Sequence, residues 1–209
     1  MYIPRSNLIT DNAALHDLMR RFSFAILVTT REGHSVATHL PFLVYSEGGE
    51  HGRLVAHMAR ANPQWTDFAP AGEVLVIFQG DHTYISPSWY ADHPSVPTWN
   101  YMIAHAYGIP QIITDEARIR ASLSKLVATH EAGFDEPWPI DVLPDDYLRT
   151  MMRGIVAFEI PIARLEGKFK LSQNRSEDDQ RRVIAGLEES SDRDTEGVRA
   201  AMLDRLGLT

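Results

Sequence analysis

A chain of 209 residues with 44% hydrophobic and 23% charged side chains can bury one substantial core, or one domain with a small appendage, and is globular rather than disordered. Its net charge of −8 argues against broad binding to nucleic acid or anionic lipid, which needs clustered Lys and Arg. The lack of cysteine removes disulfides, thiolate nucleophiles and Cys-ligated zinc and fits a reducing cytoplasm; the opening Met-Tyr-Ile-Pro-Arg-Ser has no secretory apolar segment, and no run approaches the ~20 apolar residues of a membrane span.

In chain order, Asp11 caps a helix whose Leu15, Leu18, Met19 and Phe22 share one face. Strands are predicted over 24–30, 35–40, 54–57, 73–79, 83–85 and about 98–106. The run from Phe24 to Thr30 is continuously apolar and β-branched, as in a strand buried on both faces. Arg31-Glu-Gly, Glu47-Gly-Gly, Ala71-Gly and Gly80-Asp punctuate the block, and many short strands so separated predict an antiparallel barrel. Thr114 caps a helix carrying Ile119, Leu123, Leu126 and Val127 and ending at Gly133. An irregular stretch over 134–144 holds three prolines, and a short helix follows over 145–152. A strand pair over 155–160 and 168–171 returns to the barrel, and helices over 177–187 and 196–206 close the chain. The acidic segment 188–195 between them is the nearest feature to a linker.

The richest stretch chemically runs from His51 to Trp65. A strand enters a small-residue turn carrying Arg60, and Pro63 opens a short helix over 63–68, because proline lacks only a donor that a helix start leaves unpaired. Free N–H groups, a guanidinium and a helix start together suit an anion such as phosphate; an ordinary strand-to-helix connection with a surface Arg has the same residues. Other constellations are less specific. None of the histidines, among them His39, His51, His57 and His105, forms the i, i+4 pair of a zinc protease, and no metal site is assigned. Ser86 and Ser88 lack the Gly-x-Ser-x-Gly elbow, Asp145 and Asp146 suit a helix start, and neither Gly-x-Gly-x-x-Gly nor a Walker sequence occurs. Trp89, Tyr90, Trp99 and Tyr101 crowd together with Asn100 between them: rings to stack and an amide to pair with a planar heteroaromatic ligand, or else filling for a barrel end or dimer seam. Lys168, Lys170 and Ser172 alternate onto one strand face, where two ammoniums reach an anion or keep an edge soluble.

His39-Leu-Pro-Phe, His57-Met-Ala-Arg-Ala-Asn-Pro-Gln-Trp, Tyr84-Ile-Ser-Pro-Ser-Trp-Tyr, Val96-Pro-Thr-Trp-Asn-Tyr and Gly167-Lys-Phe-Lys-Leu-Ser-Gln-Asn-Arg stand in the order found in the PaiB-type family, as does the opening Met-Tyr-Ile-Pro. The chain resembles that family, described as FMN-binding negative transcriptional regulators, from Met1 to about Leu187; the last helix lies outside the match. The resemblance implies an antiparallel FMN-binding split β-barrel; with the elements read above, the expected fold is α+β, mainly β, a split-barrel domain with peripheral helices over 1–174, a helical insertion at about 114–153, and a helical C-terminal tail over 175–209. It implies a homodimer with flavin at the subunit interface. Carried onto this sequence, the FMN phosphate meets the turn from His57 to Asn62, with Arg60 as charge partner and the N–H groups of Ala61 and Asn62 as donors. Thr38 and His39 lie beside it, Trp99 and Asn100 approach the isoalloxazine, and Lys170 and Gln173 reach across from the partner subunit. No catalytic residue is assigned.

The resemblance also implies DNA as a partner, which the charge does not support. From Ala163 to Thr209 there are nine Lys or Arg against ten Asp or Glu, and the connection between the two last helices is too long for a DNA-reading helix pair. The alternative to a flavin-binding regulator is an FMN-dependent oxidoreductase of the pyridoxamine-phosphate-oxidase or flavin-reductase kind. A third reading is a haem-binding split barrel with His57 or His39 as axial ligand.

Overall fold

The computed structural model describes residues 1–190 and 195–208, and the side chains of 70 and 71 also stand outside the description. Strands and helices follow in the order β1 (Leu8–Ile9), α1 (Asn12–Arg21), β2 (Phe24–Arg31), β3 (His34–Pro41), β4 (Leu43–Tyr45), β5 (Arg53–Ala59), α2 (Phe68–Ala71), β6 (Val74–Ile85), β7 (Thr98–Gly108), β8 (Gln111–Ile113), α3 (Glu116–Glu131), α4 (Asp145–Arg153), β9 (Ile155–Lys170), α5 (Glu177–Glu188) and α6 (Thr195–Leu206). In the sheet the order is β3-β2-β6-β7-β9-β5-β4, with β1 and β8 also paired to β9. The pairings β2–β3, β2–β6, β4–β5, β5–β9, β8–β9 and β1–β9 are antiparallel, as the sequence predicts for the fold. The chain forms two compact units, one of residues 1–21, 79–104 and 166–209, the other of residues 22–78 and 105–165.

In the second unit, β2 and β3 form a hairpin in register from Phe24 opposite Pro41 to Arg31 opposite His34. Glu32 and Gly33 turn it with φ of 51° and 81°, the doubly left-handed geometry that matches the twist of the strands it joins. Only one face of β2 is buried: Ala25, Leu27 and Thr29 point inward, whereas Phe24 is 68% exposed and stacks on His39. Burial on both faces is thus corrected; the apolar run alternates like any half-covered strand. Phe158 on β9 is fully buried and meets Phe68 at 4.9 Å and Phe42 at 6.3 Å between ring centroids, edge to face, and Phe42 meets Phe78 in the same way. Helix α3 lies outside this core. Its Ile119, Leu123 and Val127 pack on Ile140, Leu148 and Met152, and its Leu126 on the cluster of Leu43, Val55, Ile113 and Ala157. Asp115, one residue beyond the predicted Thr114, caps α3 by accepting from the Arg118 N–H.

In the first unit, Asp11 accepts from the Ala13 N–H ahead of α1, and Leu15, Leu18 and Met19 are buried as the spacing predicts. Helices α5 and α6 bury Val183, Ile184, Leu187, Val198 and Met202. The acidic connection expected over 188–195 has its middle, 191–194, outside the described residues.

Two predicted breaks do not exist. The strands expected over 73–79 and 83–85 are one strand, β6, and those over 155–160 and 168–171 are one strand, β9. Gly80 and Gly167 sit inside these strands, and Gly167 is paired with Ile9, so each glycine is extended backbone rather than a turn. The short strands β1, β4 and β8 carried no recognisable pattern.

Truncating the aromatic centre tests the packing of the second unit. Phe158→Ala should cost about 3–5 kcal/mol in urea denaturation, since it removes the ring that both Phe42 and Phe68 meet; a loss below about 1 kcal/mol would contradict that role.

Candidate functional site

Strand β5 ends at Ala59, and the next three residues make the predicted turn. The Asn62 N–H donates to the Ala59 carbonyl, and Asn62 caps the following helical turn by accepting from the Gln64 N–H at 3.0 Å, with Pro63 in the first position. The short helix expected over 63–68 is a 3-10 turn (Pro63–Asp67) that runs into α2. The Asn62 Nδ2 donates to Thr38 Oγ1 at 3.0 Å, which ties the turn to β3.

Arg60 is held by its own backbone and side chain. Its N–H donates to the Gly154 carbonyl, its Nε to Arg153 O at 2.8 Å and its Nη2 to Ile155 O at 2.7 Å. A guanidinium has five N–H donors, so three remain, and among the described residues no carboxylate pairs with it. Ala61 is exposed and its N–H has no partner among the described residues; the Asn62 N–H, also expected to meet a ligand, is already bonded. Thr38 Oγ1 accepts from Asn62, which leaves its own O–H to donate. The groups this turn still offers are donors. Such a set fits the acceptor oxygens of an FMN phosphate.

Behind the turn is a polar network that sequence reasoning missed. Gln64 is completely buried, and its Nε2 lies 3.3 Å from Leu27 O, 3.2 Å from Thr29 Oγ1 and 3.0 Å from Val36 O. Thr29 Oγ1 donates to Asp67 Oδ2; the other Asp67 oxygen accepts from Arg31 Nε at 2.6 Å, and Arg31 Nη2 bonds Pro63 O and Thr66 Oγ1. The only sequence signal was polar residues at the inward positions of a helix opened by Asn-Pro, and Arg31 read as turn punctuation.

His57, on β5 opposite Ala157, is mostly buried, and that burial holds its imidazole below the ordinary value of 6.5. His39 is exposed and stacked on Phe24. Thr38, His39, His57, Arg60, Ala61 and Asn62 all belong to the second unit.

The other four expected residues belong to the first unit. Trp99 is half exposed, its ring 6.2 Å from that of His82 and 6.0 Å from that of Tyr84. Asn100 is completely buried: its Nδ2 donates to Ser172 Oγ at 3.0 Å and lies 3.5 Å from Met202 Sδ, so its amide braces the interior and has no surface to offer a flavin ring. Lys170 Nζ donates to Thr98 Oγ1 and the Trp99 carbonyl. Gln173 closes its own turn, accepting from the Leu171 N–H and donating to the Phe169 carbonyl. Among the described residues no group of three His, Asp or Glu could hold a metal ion, and no helix is long and apolar enough to cross a membrane.

The antiparallel nine-stranded sheet with its surrounding helices is the fold of the flavin-binding split-barrel proteins. The FAD- and haem-binding protein of Mycobacterium smegmatis matches with a TM-score of 0.63 at 20% identity, covering 86% of this chain and 80% of its own. The flavocytochrome Anf3 of Azotobacter vinelandii matches with a TM-score of 0.61 at 16% identity, covering 80% of this chain and 72% of its own. Residues 1–164 match the family model described as "Putative FMN-binding domain". The chain is 35% identical over 206 residues to the protease synthase and sporulation protein PAI 2 of Bacillus subtilis, covering 99% of this chain and 98% of the relative. The chain belongs to this FMN-binding family, and FMN is its cofactor.

The depressed His57 pKa has a consequence for stability. Above pH 6.5 the imidazole is neutral in both folded and unfolded chains and the fold keeps its full stability. As pH falls from 6.5 towards the lower folded value, the unfolded chain takes up the proton first and stability declines. His57→Gln should flatten that part of a melting-temperature-against-pH curve; an unchanged slope would contradict the assignment.

Proposed function

We propose that this protein is a homodimeric, cytoplasmic flavin-dependent regulator that holds the FMN phosphate on the turn after β5 and acts through its flavin rather than by reading DNA itself. The observation that carries the reading is Arg60: a guanidinium latched to two carbonyls, with three donors over and no carboxylate partner among the described residues, in a chain of net charge −8. The exposed Ala61 N–H and the Thr38 hydroxyl supply further donors at the same turn. FMN, when bound, supplies redox chemistry; the chain's own part is to hold and orient the phosphate end.

The name of the Bacillus subtilis relative, a protease synthase and sporulation protein, supports a regulatory role. Direct DNA readout is disfavoured by the pairing of the C-terminal cations. Arg181 bonds Glu177 at 2.6 Å and Arg182 bonds Asp178 at 2.8 Å, each one helical turn apart, and Arg199 pairs with both Glu188 and Glu196. Phosphate contacts drive such binding, and paired arginines release little of it. The absence of cysteine suits a reducing compartment.

Arg60→Ala should weaken FMN affinity about 10- to 150-fold in a fluorescence titration of apoprotein, and riboflavin should bind wild type about as weakly as FMN binds the variant. Equal affinities for FMN and riboflavin would refute phosphate recognition. In fluorescence anisotropy at physiological salt, DNA should bind weakly with or without FMN, whereas nanomolar sequence-specific binding would restore direct readout. A monomer by light scattering at micromolar concentration would defeat the dimer.

A further inference from the structure

The first unit contains a cavity of about 320 Å³ whose lining is unusual for so acidic a chain. Lys170 and Arg175 both face it, together with Asn7 and Asn174, while Val96 and Pro97 form part of an apolar wall. Among the described residues no Asp or Glu lines it. Among the described residues neither cation has a carboxylate partner. Lys170 uses two of its three donors on Thr98 Oγ1 and the Trp99 carbonyl. Arg175 gives one donor to Ser95 Oγ at 3.1 Å and lays its guanidinium 4.0 Å over the Tyr90 ring, which fixes its plane while leaving most of its fork free. Asn7 accepts from Ser6 Oγ through its carbonyl oxygen, so its amide nitrogen remains a donor.

Positive charge here is concentrated rather than dispersed. Lys168, two residues before Lys170 on the same strand face, is also largely buried and lies over the rings of Tyr2 and Tyr101 instead of against a carboxylate. Burial, and next the charge of Lys168, hold the Lys170 ammonium below the ordinary lysine range. Keeping two cations in one half-enclosed cavity without a counter-charge is costly, and an anion that accepts from both would remove that cost.

We propose that this cavity binds a small organic anion, a carboxylate or phosphate ester on a short apolar body, at a site separate from the turn that holds the FMN phosphate. Lys170 and the Arg175 fork grip the anionic head, the amides of Asn7 and Asn174 meet its flanking acceptors, and Val96 and Pro97 cover the apolar part. A cavity of this volume lies at the lower end of those that hold small molecules. Bound there, the ligand would give the regulator a second input beside its flavin.

The test is calorimetric titration of the full-length protein, in chloride buffer free of multivalent anions, with phenyl phosphate, benzoate and neutral phenol. At least one of the two anions should bind with one site per chain, and phenol should not. Which anion binds more tightly distinguishes a phosphate from a carboxylate ligand. Lys170→Met and Arg175→Gln should each weaken the anion about tenfold or more, with unchanged melting temperature showing that the fold persists. FMN affinity in Arg175→Gln, a residue outside the expected flavin contacts, should stay within about twofold of wild type. Absence of binding by both anions, or binding that neither substitution weakens, would overturn the proposal. So would a tenfold loss of FMN affinity in Arg175→Gln, because the cavity would then belong to the flavin site.

Discussion

The side-chain amide of Asn62 bonds on both sides: its nitrogen to Thr38 on β3, its oxygen to the Gln64 N–H that opens the next helical turn. Gln64, fixed by that start, sends its own amide into the hairpin of β2 and β3, within 3.3 Å of Leu27 O, Thr29 Oγ1 and Val36 O. A buried amide nitrogen is costly unless bonded, so these contacts from Gln64 Nε2 tie the turn to the hairpin. Asp67 and Arg31 close the far side of the same turn, and Arg60 is latched to the carbonyls of residues 153 and 155. The donors at this turn are therefore held by the protein's own bonds, and a ligand taken there would not have to order them.

The contrast among the cations follows from the same accounting. On α5, arginines sit one turn from carboxylates and are neutralised on the helix surface. Among the described residues Arg60, Lys170 and Arg175 instead hydrogen-bond to carbonyls and hydroxyls and to no carboxylate, so their charge stays available. In a chain with 28 acidic and 20 basic residues, unpaired cations at a turn and in a cavity suit ligands of small-molecule size, whereas paired ones along a helix do not make a nucleic-acid surface.

Local signals in the sequence carried the parts of this structure that depend on local chemistry. Asp11, Pro63 and the Leu15, Leu18, Met19 stripe mark elements that form where their spacing says, because caps and helix faces are set by residues three or four apart. The turn at Arg60 was legible for the same reason. Gly80-Asp misled, since whether a glycine turns or extends is decided by its strand neighbours, and Gly80 lies inside β6. Asn100 looked like a ligand amide beside Trp99, but its role rests on Ser172 and Met202, far along the chain. The Gln64–Thr29–Asp67–Arg31 network was equally illegible, because nothing local says which strand will lie under a helix.

Amide NMR of the full-length protein, labelled with nitrogen-15 and titrated with FMN and then with riboflavin, tests the central claim most directly. If the turn after β5 holds the phosphate, the Ala61 amide shifts on addition of FMN and stays in place with riboflavin, because only the phosphate reaches that N–H. An Ala61 signal unmoved by FMN, with shifts gathered instead around Lys170 and Arg175, would contradict the account.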